Sequence, residues 1–486
     1  MLQMSDFIEK EDLIKFQINS YNYLLEKGLQ DVINEKEDII VDVEGYNLEF
    51  GKIRVANPVV KESGGSTEGE PRTPFECRLR NLTYSAPIML GFVENDKRVE
   101  VEIGHLPVML KSKICLLNGL DDMGLIKNGE DPEDPGGYFV INGTERTLII
   151  VEDLAPNRIV TTLEEVGDKE IATAKVFSVR QGFRSRVTVE KRETMSGETL
   201  FVSFPGIPGR ISLTIIMKAL GLTSDDILNM FEDESRMEIL LNLESNKYET
   251  PEEAFAYLGR QAGKGHAKIY QATRAEQVMN NYLLPHSGNS ENDRILKAKY
   301  LAVMAKKVVE MDNKKREADD KDHYSNKRLR TAGDLLQELF RVSFNTLCRD
   351  IKYQLEKQHA RRRECNVKIA VRSNTLSERI DYALATGNWT GGKSGVSQVL
   401  DRTNYLSSIA HRRRVASLLS RSHPHFEARD LHATQWGRVC PNETPEGQNC
   451  GLVKNLAIGS RISTHHEDDK FEEYLKEFGV SHENKN

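Results

Sequence analysis

From Leu13 to about Lys36 the apolar side chains recur at Phe16, Ile18, Tyr21, Leu24, Leu25, Leu29, Val32 and Ile33, which is the spacing of one helical face and predicts an opening helix. Gly64, Gly65, Ser66 and Gly69 among charged neighbours mark an exposed turn, and residues 106–120 show no clean period. Residues 131–137 read D-P-E-D-P-G-G; the prolines remove backbone donors and the glycines favour open dihedrals, so a turn is expected. Two β-prone runs, 138–141 and 144–151, flank Asn142-Gly143, the dipeptide best suited to a type I′ turn, and predict a hairpin. Alternating runs at 172–179, 186–190 and 200–204 predict a small antiparallel sheet, followed by helices at 212–220, 224–231, 236–243, 251–260 and 291–311. The charged run 312–330 is expected to cross between domains, after which Leu335, Leu339, Val342, Leu347, Ile351 and Leu355 predict a strong helix. The pattern as a whole is α+β and multidomain, with mixed helices and small antiparallel sheets.

A chain of 486 residues has room for two to four domains at roughly 100–200 residues each. Hydrophobic residues at 38% and charged residues at 29% are ordinary for a globular protein, which excludes a disordered or fibrous chain. No apolar run reaches the length of a membrane span, and the acidic stretch 1–11 lacks the features of a signal peptide. A soluble, cytoplasmic protein with no membrane partner is expected. Cys77, Cys115, Cys348, Cys365, Cys440 and Cys450 form no C-x-x-C pair, so reduced thiols are expected rather than disulfides or a zinc ribbon. The net charge of -7 conceals a division: residues 321–461 carry 24 basic and 13 acidic residues, about +11, leaving about -18 elsewhere. A basic block of this kind suits a phosphate-bearing partner, or else a solvated helical face.

Three segments carry candidate chemistry. Residues 387–394 match the G-x-x-x-x-G-K-S expression of a phosphate-binding loop. Such a loop must leave a buried strand and enter a helix, whereas 377–386 has helical spacing, so a flexible glycine-rich loop is expected instead. Residues 397–419 are amphipathic and basic, with Gln398, Arg402, His411, Arg412, Arg413 and Arg414; arginine forks suit phosphate, and amides suit sugars and bases. If 411–414 is helical, Arg413 and Arg414 point about 100° apart, so that one braces the fold through a carboxylate while the other reaches outward. Residues 440–455, C-P-N-E-T-P-E-G-Q-N-C-G-L-V-K-N, fix a specific loop with Glu443 and Glu446 beside the basic block.

That last run, with G-V-S-Q-V-L at 395–400, H-R-R-R at 411–414, D-K-D-H-Y at 320–324, N-K-R-L at 326–329, G-G-Y-F at 136–139 and G-H-L-P-V-M-L at 104–110, resembles the second-largest subunit of multisubunit DNA-dependent RNA polymerases. The motifs keep the family's order from about residue 13 to 465. The resemblance implies a protrusion made of 1–151 and 313–385, a lobe at 152–312, a fork at 386–465 and a tail or docking segment at 466–486. Ending after the fork is similar to archaeal members in which the B subunit is split. A separate B′-type chain is then expected to carry the rest, beside the largest subunit, other polymerase subunits, the DNA template and the RNA–DNA hybrid. By matching position, the resemblance places Gln398, Arg402 and Arg414 near the hybrid, with His411 and Arg413 beside it. Arg421 falls in the second fork loop, Arg429 follows it, and Glu446 lies near the active centre. In this family the largest subunit holds the Mg²⁺ of nucleotidyl transfer. The resemblance therefore implies no catalytic residue, metal ligand or cofactor in this chain, which is expected to be inactive alone. The competing classes are a P-loop NTPase using Lys393 and a free-standing nucleic-acid-binding protein. ATP hydrolysis lost on Lys393→Ala marks the first, and absence of large partner chains in native lysate marks the second.

Overall fold

The computed structural model describes residues 10–36, 46–58, 73–95, 97–166, 169–194, 197–265 and 267–463, together with Tyr474, Leu475, Glu477 and Phe478. The glycine-rich turn at 64–69 and most of the tail at 466–486 lie outside the described residues. The chain falls into two compact units, Met1–Asp153 with Leu329–Asn486, and Leu154–Arg328.

In the first unit the opening helix Lys15–Tyr23 passes through a π turn, Leu24–Gly28, into Leu29–Asn34. It packs on the 29-residue helix Ala332–Ala360, which starts with a capping box between Thr331 and Asp334. Gly333 lets the two helices meet: a Cβ there would stand 2.1 Å from the Ser20 carbonyl oxygen. The long helix buries Leu335, Leu339, Phe340, Phe344, Leu347, Ile351 and Leu355 along one face. The same core takes Ile88, Leu90 and Phe92 from an antiparallel sheet of Leu48–Val55, Ser85–Glu94 and Lys97–Pro107. Sequence reading missed this sheet. Its middle strand alternates buried and half-buried positions, but Pro87, Gly91 and a register shift after Ile88 break the pattern.

The hairpin at Asn142-Gly143 forms between Phe139–Ile141 and Thr144–Leu148, with φ of 48° and 74° at the two turn residues, as a type I′ turn requires. Ser397–Val399 adds antiparallel to its second strand. Just beyond, Ile150–Leu154 runs parallel to Arg414–Ser417, which pairs antiparallel on its other side with Val453–Asn455. Two short sheets thus gather segments from both ends of this unit.

The second unit is built on a five-stranded antiparallel sheet whose spatial order is Ile211–Ser212, Gly197–Ser203, Phe183–Thr194, Lys169–Arg180 and Ile159–Val166. Helices Leu213–Ala219, Ser224–Asn229, Asp233–Glu244, Pro251–Ala262 and Arg294–Asp312 follow the expected order, and a further helix, Lys268–Asn281, joins them. The charged run after Asp312 packs on this unit, because Asp319 Oδ2 accepts from the Thr161 N–H at 2.9 Å and the Thr161 hydroxyl at 2.8 Å. No helix among the described residues is long and apolar enough to cross a membrane.

Candidate nucleic-acid interface

The basic segment does not form one helix. Tyr405–Arg412 is helical, capped by Asn404, Arg413 is its terminal cap, and Arg414 opens the strand Arg414–Ser417. The helical premise for 413–414 is therefore corrected, and the three consecutive arginines have three different environments.

Arg412 is 1% exposed. Its Nη1 donates to Asp134 Oδ1 at 2.8 Å and to the Gly136 carbonyl at 2.5 Å, while Nε and Nη2 donate to the Ser408 carbonyl and hydroxyl at 3.0 and 2.9 Å. Asp134 also accepts from Arg402 Nη2 at 2.8 Å and from the Tyr138 hydroxyl at 3.0 Å. Burial pushes this carboxyl up, but Arg412 and Arg402 outweigh it and hold the pKa at about 2. Arg402 completes the network through Glu145 at 2.6 Å, its guanidinium lying 4.9 Å from the centre of the Tyr138 ring. The rigid D-P-E-D-P-G-G turn thus presents an anchoring carboxylate. The carboxylate brace expected for one of the arginines belongs to Arg412. Arg413 is buried and donates instead to the Leu13 carbonyl at 2.7 Å and the Ala457 carbonyl at 2.8 Å.

His411 is also buried. Its Nδ1 accepts from the Asp401 N–H at 3.1 Å, which leaves the proton on Nε2 to be donated to Gln398 Oε1 at 3.0 Å; Gln398 Nε2 in turn donates to the Gly395 carbonyl at 3.0 Å. This relay ties the loop before the strand to the helix and requires a neutral ring. Burial, reinforced by the positive charge of Arg414, depresses the imidazole pKa to about 4. The folded value lies below the ordinary ~6.5, so the stabilisation is fully present above pH 6.5 and declines as pH falls towards 4. The loss is on the order of 2–3 kcal/mol. Asp134 contributes to the acid dependence only below its ordinary carboxylate range. Fluorescence of buried Trp389 in a Trp436→Phe background should therefore show a urea midpoint that falls further between pH 6.5 and 4 in the unchanged protein than in His411→Gln, the opposing contribution of Asp381, whose carboxyl burial pushes up to about 6, being common to both. An equal fall in both proteins would refute the assignment.

Arg414 is half-buried, and no ion pair or hydrogen bond engages its guanidinium among the described residues. It lines a cavity of about 950 Å³ together with Lys393, Gln398, Arg421, Glu443 and Lys454. Of the residues singled out from sequence, Gln398, Arg414 and Arg421 are brought together here, whereas Arg402, His411, Arg413, Arg429 and Glu446 do not line the cavity. Arg429 is a staple: its guanidinium donates to the carbonyls of Pro424 at 2.7 Å, Gln448 at 2.8 Å and Cys450 at 2.9 Å, fastening the 421–429 loop to the 440–455 loop. Gly451 permits this contact, since a Cβ would stand 2.2 Å from the Arg429 carbonyl oxygen. Thr444 closes the second loop, donating to the Val453 carbonyl and accepting from the Gly451 N–H, both at 2.9 Å. Glu446 is exposed at its tip.

Sequence reasoning missed Asp134, and it passed over Lys454 as a cavity residue. Lys454 Nζ is paired with the buried Glu152 carboxylate at 3.0 and 3.1 Å, across 302 residues of sequence, so no local signal marks it. The phosphate-loop expression at 387–394 is not a phosphate loop. It follows the helix Ser373–Thr386, Gly387 is that helix's left-handed cap, and Lys393 Nζ is held by Glu338 at 3.2 Å. Among the described residues, Glu198, Glu238 and Asp312 of the second unit are close enough to share a cation. The Lys191 ammonium already stands among them at 2.7, 2.9 and 2.6 Å.

The site is a cavity wall carrying Lys393, Arg414, Arg421 and Lys454, stitched together from distant segments of a multidomain α+β chain. Residues 12–378 match the family model described as RNA polymerase beta subunit, and residues 398–462 match RNA polymerase Rpb2, domain 3. The chain belongs to the RNA polymerase beta subunit family, that of the second-largest subunits. It is 48% identical to DNA-directed RNA polymerase subunit Rpo2N of Methanococcus vannielii, over 98% of both chains. Identity to the Rpo2N of Methanocaldococcus jannaschii is also 48%, over 98% of both chains. It is 44% identical to subunit Rpo2 of Saccharolobus shibatae over 98% of this chain, which spans 42% of that longer relative.

Proposed function

We propose that this chain is the amino-terminal half of a split second-largest subunit of a DNA-directed RNA polymerase, and that its cavity wall supports the RNA–DNA hybrid while the 421–429 loop faces the downstream edge of the bubble. The observation that supports this reading is Arg414: an arginine that makes no ion pair among the described residues and lines the cavity from a strand paired on both sides. In this reading Gln398, Arg414 and Arg421 meet nucleic acid. His411 and Arg413 hold the wall in place, Arg402 anchors it through Asp134 and Glu145, and Arg429 fixes the loop pair that carries Glu446. Phosphates met by arginine give affinity without sequence preference. The Mg²⁺ of nucleotidyl transfer is assigned to the largest subunit, and the assembled enzyme to the cytoplasm.

Arg414→Ala should remove roughly one phosphate contact and lower the salt slope of hybrid retention by about 1. Assembly should survive, since among the described residues no buried partner is stranded when the Arg414 guanidinium is removed. The measurement is the lifetime of elongation complexes against salt, in enzyme reconstituted with Arg414→Ala or the unchanged chain. Equal lifetimes across the salt range refute the hybrid contact.

This chain spans 42% of the longer Saccharolobus relative, and the family resemblance places the remainder as a continuation past the matched region. We assign that continuation to a B′-type partner chain here, covering the apolar side chains Phe426, Leu431, Trp436 and Ile458, which are 57–82% exposed. Co-expression with such a chain should raise the protease resistance of residues 418–463, and identical digestion patterns with and without it would exclude this interface.

A further inference from the structure

The long helix Ala332–Ala360 ends in a Schellman turn, in which the Arg362 N–H donates to the His359 carbonyl at 2.8 Å and the Arg363 N–H to the Gln358 carbonyl at 3.0 Å. The left-handed position of this turn, usually glycine, is occupied by Arg362 with φ 57°. An L side chain is strained there, because its Cβ crowds the following carbonyl. The sequence accepts that strain and keeps an arginine at the centre of three. Arg361, Arg362 and Arg363 are all exposed, and no hydrogen bond or ion pair engages their side chains among the described residues. The negative end of the helix dipole favours one cation in the last turn, but its reach is too short to account for three.

A second element adds charge at the same place. Glu94 Oε1, at the end of strand Ser85–Glu94, accepts from the Val367 N–H at 3.0 Å and from the Tyr46 hydroxyl at 2.6 Å. This docks the hairpin onto the segment that follows the arginines. Across the hairpin, Lys97 pairs with Glu94 and Arg98 with Val93, and both basic side chains are exposed, as is that of Lys368 next to Val367. From residue 353 to 382 the large apolar side chains exposed are Tyr353, Ile369 and Tyr382, fewer than the exposed cations of the same stretch, so charge dominates this surface. The ring of Tyr353 has the Lys357 ammonium over it at 5.7 Å, which closes that face to a stacked, unpaired base.

We propose that Lys97, Arg98, Arg361, Arg362, Arg363 and Lys368 form a second nucleic-acid contact that grips the phosphate backbone of duplex DNA without reading its sequence. None of these residues lines the cavity. Arginine forks match phosphate, and backbone contact needs accessible charge rather than a shaped pocket. The inference rests on the reading above that the assembled chain works on nucleic acid.

The test compares assembled enzyme carrying Arg361→Gln, Arg362→Gln and Arg363→Gln together with the unchanged enzyme, for binding of a fluorescent blunt duplex of random sequence against salt. The slope of log affinity against log salt should fall by about 2–3. Arg362→Gly alone should lower it by about 1 while leaving the thermal midpoint unchanged or higher, because glycine relieves the left-handed strain. An unchanged duplex slope in both variants overturns the proposal. So does a loss confined to single-stranded DNA, or a loss confined to binding of polyglutamate, which would assign the surface to an acidic protein. Hybrid retention by Arg414→Ala, measured in parallel, separates the two ideas: a silent patch with a responsive Arg414 leaves the proposed function standing, and the reverse result leaves the patch standing.

Discussion

Replacing Arg412 with alanine is expected to destabilise the first unit by about 3–5 kcal/mol, the range for removing one partner of a buried ion pair. The guanidinium is 1% exposed and satisfies four acceptors at once: both the carbonyl and hydroxyl of Ser408, the Gly136 carbonyl and Asp134. Its loss strands a largely buried carboxylate with only Arg402 as counter-charge, and leaves the Gly136 carbonyl without its donor. Most of the penalty comes from these abandoned groups rather than from the attraction itself. Asp134→Asn combined with Arg412→Ala should then cost less than the two single changes added together, because neutralising the carboxylate removes the charge that was stranded. Urea unfolding followed by Trp389, whose indole donates to the Leu335 carbonyl at 3.1 Å inside this unit, checks both statements in the Trp436→Phe background. Strict additivity of the two changes would show that Arg412 and Asp134 do not stabilise one another.

The parts of the fold that were legible in the sequence are those set by neighbours in the chain. The Asn142-Gly143 hairpin needs only two residues that accept positive φ, and the helix Ala332–Ala360 needs only its apolar stripe and the Thr331–Asp334 box. The D-P-E-D-P-G-G turn was legible as a turn, yet its purpose was not, since Asp134 meets Arg402 and Arg412 across 268 and 278 residues. The same limit applies to the candidate site. Three adjacent arginines look alike as letters, and what distinguishes them is that a helix stops at Arg412, Arg413 caps it and a strand begins at Arg414. That change of backbone turns one side chain towards Asp134, the next towards two carbonyls and the third towards the cavity. The glycine-rich stretch ending in Lys393 shows the converse, a letter-perfect expression whose lysine is already neutralised by Glu338 and whose preceding element is a helix instead of a strand.

Lys454 and Glu152 form the other charge pair on which the cavity wall depends. Glu152 sits on Ile150–Leu154 and Lys454 on Val453–Asn455, the two strands that flank Arg414–Ser417, so the pair spans the strand that carries Arg414. With side chains 7% and 3% exposed, neither charge has water to fall back on, and Lys454→Met should cost about 3–5 kcal/mol by taking from the buried Glu152 carboxylate the ammonium that faces it. Replacing both, Lys454→Met with Glu152→Leu, should recover most of that stability, since apolar groups of similar volume pack there without stranding a charge. Function should separate from stability in the double variant. The lysine also lines the cavity, but its ammonium is committed to Glu152, so its removal together with its counter-ion leaves the net charge offered to nucleic acid unchanged. Elongation complexes built with the double variant should therefore keep the wild-type salt slope, whereas those built with Arg414→Ala lose about 1. Hydrogen exchange at the amides of 150–152 and 414–417 reads the structural half of this expectation, with rapid exchange in Lys454→Met and restored protection in the double variant. A double variant that regains protection yet loses salt slope would mean that Lys454 itself meets phosphate, and the division of labour between Arg414 and the pair that holds its strand would have to be redrawn.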